Sequence, residues 1–345
     1  MVMIKTKLII FSAFASSALV LSACSSSDTT SATDTATSQS EATASAASES
    51  SSPSETESVS VIATTTMLGD VANNIISCAG GTTTVLMPVG ADPHDFSASS
   101  DQVASMVNAD LVITNGLGLE SGLRDALENA ANDGANVMEV AALLNPIKFG
   151  SGGHDDHSDE EGHDDHGHGD LDPHFWFDIN RMADAALLIG AELTQMTGDE
   201  VYTTCAETTA TQIQAAESDV REILESVSVE KRILVTDHDA LGYLAALYDY
   251  EVAGTVIPAG TTAASPSSSD LAALVETIKA EDVNAIFANT AVPNDLADAV
   301  AAETGDDVSV VTLYVGSIGG PDSPAATYID MMRSNASLIA QALQD

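Results

Sequence analysis

From Val59 onward, short apolar runs alternate with stretches of helical spacing. Val59–Ala63, Thr83–Met87, Leu111–Thr114 and Asn136–Val140 read as strands, with helices predicted over Met67–Ile76, Asp101–Asn108 and Leu119–Ala131. The pattern then turns helical over Asn180–Gln195 and Glu200–Val227. The second stretch has small apolar residues at Ala206, Ala210, Ile213, Val220, Ile223 and Leu224, and no Pro or Gly. It predicts one helix of about 25 residues, roughly 35–40 Å long, stiff enough to serve as a strut. Strands resume at Ile233–Thr236, Glu251–Ile257, Ala285–Ala288 and Val308–Val315, with helices at Leu241–Tyr248, Ser269–Ala280, Asn294–Glu303 and Ala325–Leu343. Strand–helix alternation of this kind implies parallel strands with crossover helices. The predicted fold class is α/β: two (βα)-type lobes with parallel sheets, joined by a long rigid interdomain α-helix. The predicted boundaries are 59–180 for the N-terminal lobe, 181–228 for the helical connector and 229–345 for the C-terminal lobe.

Two segments stand outside this alternation. Lys5 and Lys7 precede an apolar stretch, Leu8 to Val20, that is too short for a comfortable membrane span. It ends in Leu21-Ser22-Ala23-Cys24, which resembles a bacterial lipoprotein signal. The resemblance implies that 1–23 is removed and that Cys24 is lipidated, anchoring the chain to the outer face of the cell membrane. An ordinary cleaved signal with an incidental cysteine is the alternative. Residues 24–58 are rich in Ser, Thr and Ala and read as a disordered tether. The second interruption, 150–170, is almost entirely Gly, His, Asp and Glu and reads as a mobile loop.

Composition narrows the function. With 10 Lys+Arg against 52 Asp+Glu, the formal charge of -42 repels phosphate backbones and argues against a nucleic-acid partner. Most of the carboxylates read as a solubility bias. Setting Cys24 aside leaves Cys78 and Cys205. Thiols outside the membrane tend to pair, so a disulfide between the first lobe and the middle of the chain is expected, two buried free thiols being the alternative.

The eight histidines carry the chemistry. His154, His157, His163, His166 and His168 lie in the loop, where they could bind additional zinc weakly. The other three are His94, after the strand Thr83–Met87, His174, at the edge between loop and helix, and His238, after the strand Ile233–Thr236. In open α/β sheets ligands bind beyond the carboxyl ends of strands, so these three could converge between the lobes. Imidazole nitrogens suit Zn²⁺, and neighbouring carboxylates such as Asp95, Asp178 or Asp239 could hold the second ring N–H.

Four segments carry a family resemblance: Gly90-Ala91-Asp92-Pro93-His94-Asp95-Phe96, Asn108 to Glu120, Asp172-Pro173-His174-Phe175-Trp176-Phe177-Asp178 and Thr236-Asp237-His238-Asp239-Ala240-Leu241-Gly242-Tyr243-Leu244. From about Val59 to Asp345 the chain resembles the metal-binding lipoproteins of zinc and manganese ABC importers, the cluster A-I or family 9 solute-binding proteins. The resemblance implies a monomeric carrier that binds metal between two lobes and serves a permease and its ATPase in the same membrane. His238, where manganese-type members have Glu, and the His-rich loop resemble the zinc type. Two positions depart from the family pattern. Gly316 stands where many members carry an Asp ligand, and Asn289 where a Glu is common. The primary site is therefore expected to be three histidines with a water, or with Asp92, Asp95 or Asp239, as the fourth ligand. Rival readings are a manganese carrier, a metal-dependent adhesin, and a zinc hydrolase using a metal-bound water. The hydrolase lacks a base–nucleophile motif near the histidines, so no enzymatic activity is expected.

Overall fold

The computed structural model describes residues 59–150, 171–305 and 308–344. The expected signal, Cys24, the tether and the five loop histidines lie outside these residues. Two four-stranded parallel sheets form the frame. The first contains β1 (Ser60–Ala63), β2 (Thr82–Val85), β3 (Leu111–Thr114) and β4 (Val137–Glu139), in the order β2-β1-β3-β4. The second contains β5 (Ile233–Thr236), β6 (Glu251–Thr255), β7 (Ala285–Asn289) and β8 (Ser309–Leu313), in the order β6-β5-β7-β8. One strand order is thus used twice. The central strands β3 and β7 are buried at every residue, as parallel strands covered on both faces must be.

Helices α1 (Thr66–Cys78), α2 (Ser100–Val107) and α3 (Arg124–Asn132) belong to the first lobe. Helices α6 (Gly242–Tyr248), α7 (Ser268–Ala280) and α8 (Asp295–Thr304) belong to the second. Local sequence sets several boundaries. Ser99 and Gln102 close a capping box on α2, and Ser267 and Asp270 close another on α7. Between the lobes run α4 (Ile179–Thr197) and α5 (Val201–Glu225). Asp178 caps the first turn of α4, and Gly198, at φ 74°, ends it in the left-handed conformation that glycine adopts without a Cβ penalty. The last helix, α9 (Tyr328–Gln344), packs against α5.

One apolar core runs through both lobes. It joins Met67 and Ile75 of α1, Phe175–Phe177, Ile189 of α4, Ile213 and Leu224 of α5, Tyr248 of α6 and Ile339 of α9. A shared core of this kind opposes a wide hinge motion, because parting the lobes would expose it to water. The helices α4 and α5 leave no room for a side chain at Gly190. A Cβ there would strike the Ala206 side chain and come within 2.9 Å of the Tyr202 carbonyl. Gly190→Ala should therefore cost about 1–3 kcal/mol through overpacking. Equilibrium denaturation checks this, and an unchanged midpoint would mean that the helices separate freely at that point. The structure joins Cys78, at the end of α1, to Cys205 of α5 by a disulfide.

Several expected boundaries shift. Leu86 and Met87 lie beyond β2, although their N–H groups still donate to Ala63 and Thr64. The predicted helix Leu119–Ala131 becomes a turn, a 3₁₀ segment at Ser121–Leu123, and then α3. The turn opens on Gly116, Leu117 and Gly118, all at positive φ, and runs on through Glu120 before the 3₁₀ segment begins.

Candidate metal centre

Each solitary histidine is fixed by its own short stretch of backbone. After β2 the chain turns through Gly90 and reaches Asp92-Pro93-His94. Asp92 Oδ1 accepts the His94 N–H at 3.0 Å, and Ser121 Oγ donates to the His94 carbonyl at 2.6 Å. His174 precedes a 3₁₀ turn, Phe175–Phe177, that leads to Asp178 and α4. Asp172 Oδ1 accepts the His174 N–H at 2.9 Å and faces its ring Nδ1 at 2.8 Å. His238 follows β5 in the same manner. Asp237 Oδ1 accepts its N–H at 2.9 Å and faces Nδ1 at 3.0 Å, while Thr236 Oγ1 donates to its carbonyl at 2.7 Å.

A buried carboxylate locks the first-lobe side of this arrangement. Glu120 Oε1 accepts from Thr64 Oγ1, Thr114 Oγ1 and the Asn115 N–H, and Oε2 accepts from the Gly116 N–H. It thereby fixes the carboxyl ends of β1 and β3. Asn115 Nδ2 in turn donates to the Pro173 carbonyl at 2.9 Å, next to His174.

The three rings converge. Their centroids are 5.2 to 5.4 Å apart, and one nitrogen from each lies within 4.8 Å of the others. His94 Nε2 and His174 Nε2 are 3.3 Å apart. That separation equals the edge of a tetrahedron with bonds of about 2.0–2.1 Å, the length of a Zn–N bond. A carboxylate facing Nδ1 holds the ring proton there, so Nε2 of His174 and of His238 carries the free lone pair. His238 Nε2 is buried with no hydrogen-bond partner. A polar atom left so is costly unless something else engages it.

Burial shapes the protonation of the centre. His94, His174 and His238 are 5%, 0% and 1% exposed. Burial, reinforced by the two facing imidazoles, pushes His94 down to about 2. The same burial holds His174 well below the ordinary histidine range. Both rings therefore stay neutral at any physiological pH and keep their lone pairs available. Burial also pushes Asp172 up to about 7.

The two lobes meet around the site through polar and aromatic groups. Thr262 Oγ1 donates to Asp92 Oδ2, the Gly90 N–H donates to Ser317 Oγ, and Tyr243 OH donates to the Asp172 carbonyl. Trp176, its ring 5.2 Å from that of His174, donates from Nε1 to the Val315 carbonyl at 3.0 Å. Phe149 lies 6.4 Å from the His174 ring and packs on Gly260, where any side chain would collide with it.

The structure corrects the expected helper carboxylates. Asp95 is exposed, and Asp178 is spent on capping α4 and pairing with Arg181. Asp172 and Asp237 face the imidazoles instead. Among the candidates for a fourth ligand, both oxygens of Asp92 are already engaged. Among the described residues, no carboxylate joins the three-histidine cluster. The sequence did hold a signal for one of these helpers: Asp-Pro-His occurs twice, at 92–94 and 172–174, each Asp accepting the N–H of its histidine.

Residues 61–342 match the family described as zinc-uptake complex component A, periplasmic (ZnuA). The chain belongs to that family. ZnuA-family proteins are the metal-binding, substrate-binding components of ABC transporters and work outside the cytoplasm, in partnership with a permease and an ATPase. Curated relatives carry different metals in their names. The chain is 25% identical over 285 residues to a manganese-binding lipoprotein, MntA, of Halalkalibacterium halodurans, covering 82% of this chain and 88% of that protein. It is 28% identical over 292 residues to the zinc-binding protein TroA of Treponema pallidum, again covering 82% and 88%. The solved structure of the periplasmic zinc-binding protein TroA superposes with a TM-score of 0.72 at 25% identity, covering 83% of this chain and 99% of that one. The two-lobe α/β architecture expected from the alternation is the fold of this ZnuA-family chain.

Proposed function

We propose that the protein captures Zn²⁺ between its lobes through His94, His174 and His238 and delivers it to an ABC permease. The observation that carries this reading is the donor set: three buried imidazole nitrogens gathered within 4.8 Å, with no carboxylate oxygen among them in the described residues. Nitrogen-rich sites favour Zn²⁺ over Mn²⁺, which prefers carboxylate and water oxygens. The carboxylates of Asp172 and Asp237 sit behind two rings, where they raise ligand basicity and offset the charge of the ion without binding it. Lipidation of Cys24 would hold the carrier beside its permease, with 24–58 as the tether. The shared core favours release through small movements of the loops bearing the histidines rather than wide opening of the lobes.

The manganese reading draws support from the name of the MntA relative. Competition between the two ions decides between them. Titration of the metal-free protein with Zn²⁺ in the presence of Mn²⁺ should show Zn²⁺ preferred by at least about tenfold, following the order of affinities for nitrogen donors. Equal or tighter Mn²⁺ binding would overturn the zinc assignment and leave a manganese carrier.

A further inference from the structure

The second sheet ends in a buried amide nitrogen without a partner, at the edge from which the chain continues to His238. Strands β5 and β7 are neighbours, β7 pairs with β8, and all three run in parallel. Their carboxyl ends therefore lie side by side. The end of β5 leads to Asp237-His238, β7 ends in Asn289, and β8 leads to Val315-Gly316. The Asp237 N–H donates to the Phe287 carbonyl and the Thr290 N–H to the Leu313 carbonyl, so these ends stay in register.

Asn289 is 1% exposed. Its Oδ1 accepts from the Ala291 N–H at 2.9 Å and from the Gly316 N–H at 3.5 Å. Two backbone donors on one atom fix the orientation of the amide, so the other end is the NH₂ group. That group, Nδ2, is buried and has no partner. A Cβ on Gly316 would lie 3.6 Å from Asn289 Nδ2 and 2.7 Å from Pro93 Cδ, the residue bonded to His94. The free donor thus lies beside Gly316, whose backbone packs against Pro93, the neighbour of His94, and Pro93 occupies the space that a side chain at 316 would need. Both groups are neutral, and an NH₂ cannot ligate a cation. It can donate to whatever does.

We propose that Asn289 is a specificity-determining residue. From Nδ2 it donates to an exchangeable solvent ligand, a water replaceable by a small monovalent anion, that completes the coordination of a metal held by His94, His174 and His238. This rests on the three-histidine reading given above. Its consequence is a centre that keeps an open position and accepts the ion together with an external ligand.

Cobalt(II) provides the readout, because its visible absorption bands report each change of ligand. The full chain is loaded with Co²⁺ and titrated with thiocyanate. The unaltered protein should give a saturable spectral change. Asn289→Leu removes the donor at nearly the same side-chain size, and Asn289→Ala removes it without adding bulk or charge. Each should weaken the thiocyanate response at least about fivefold, the loss of one hydrogen bond to a charged group, while Co²⁺ itself still binds. An unaltered spectrum insensitive to thiocyanate would overturn the proposal, and so would equal thiocyanate affinity in Asn289→Leu. Retention of the full Co²⁺ spectrum in His238→Ala would instead overturn the three-histidine reading, so the two failures are distinguishable.

Discussion

Replacing His174 by alanine is expected to weaken Zn²⁺ binding by roughly 10²–10³-fold. Zinc sites with four protein ligands contribute about 10–16 kcal/mol, so one ligand accounts for about 3–4 kcal/mol, at about 1.4 kcal/mol per factor of ten. His174 should fall at the upper end of that range. It is fully buried, and its removal also leaves Asp172 Oδ1 without the imidazole it faces at 2.8 Å. His94 and His238 should show losses of the same order, because each supplies one nitrogen to the same cluster. The measurement is a titration of each variant with Zn²⁺ against a competing chelator. Thermal unfolding of the metal-free variants serves as the control for folding. If all three variants bind within about tenfold of the unaltered protein while remaining folded, the ion is held elsewhere and the zinc-carrier reading fails.

Much of the frame was legible because it depends on local periodicity. The apolar runs Leu111–Thr114 and Ala285–Ala288 mark the buried central strands, and the Ala-rich spacing of Glu200–Val227 marks α5 within two residues at each end. The convergence of His94, His174 and His238 was legible from their place at the ends of elements. What escaped was set by contacts distant in sequence or by side-chain direction. Glu120 gathers Thr64 and Thr114 from two strands, and no spacing rule announces that. Asp178 and Asp172 both lie within four residues of His174. Only the backbone decides that Asp178 turns to cap α4 while Asp172 turns to face the ring. At Leu119 the apolar periodicity suggests a helix, yet the demand of Glu120 for the Asn115 and Gly116 N–H groups holds the chain in a turn. In each of these places a buried polar group overrode local propensity, as it must when its alternative is to go unsatisfied.

Loss of the Cys78–Cys205 disulfide should be the largest single blow to stability. The bond closes a loop with a sequence separation of 127, which contains β2, α2, β3, α3, β4 and α4. By the chain-entropy argument, opening a loop of this size gives the unfolded chain about 4–5 kcal/mol. In a chain this long, that corresponds to a fall in melting temperature of roughly 10 °C. Cys205 is buried against the core, whereas Cys78 is exposed at the end of α1, so mild reductant should reach the bond in the folded protein. The Cys78→Ala/Cys205→Ala double variant and the reduced protein should therefore melt alike, and both well below the oxidised protein. Metal affinity should move by less than about threefold, because additivity holds for sites far apart. The bond sits at the carboxyl end of α1, whereas the opposite end of that helix faces the cleft, where Thr66 Oγ1 accepts the Ile318 N–H at 3.0 Å. Calorimetric melting paired with the chelator titration separates the two effects. A melting shift under about 3 °C would mean that the reduced, unfolded chain stays compact enough for the cross-link to remove little of its freedom. A large loss of metal affinity would mean that α1 transmits strain along its length from the disulfide to the histidines.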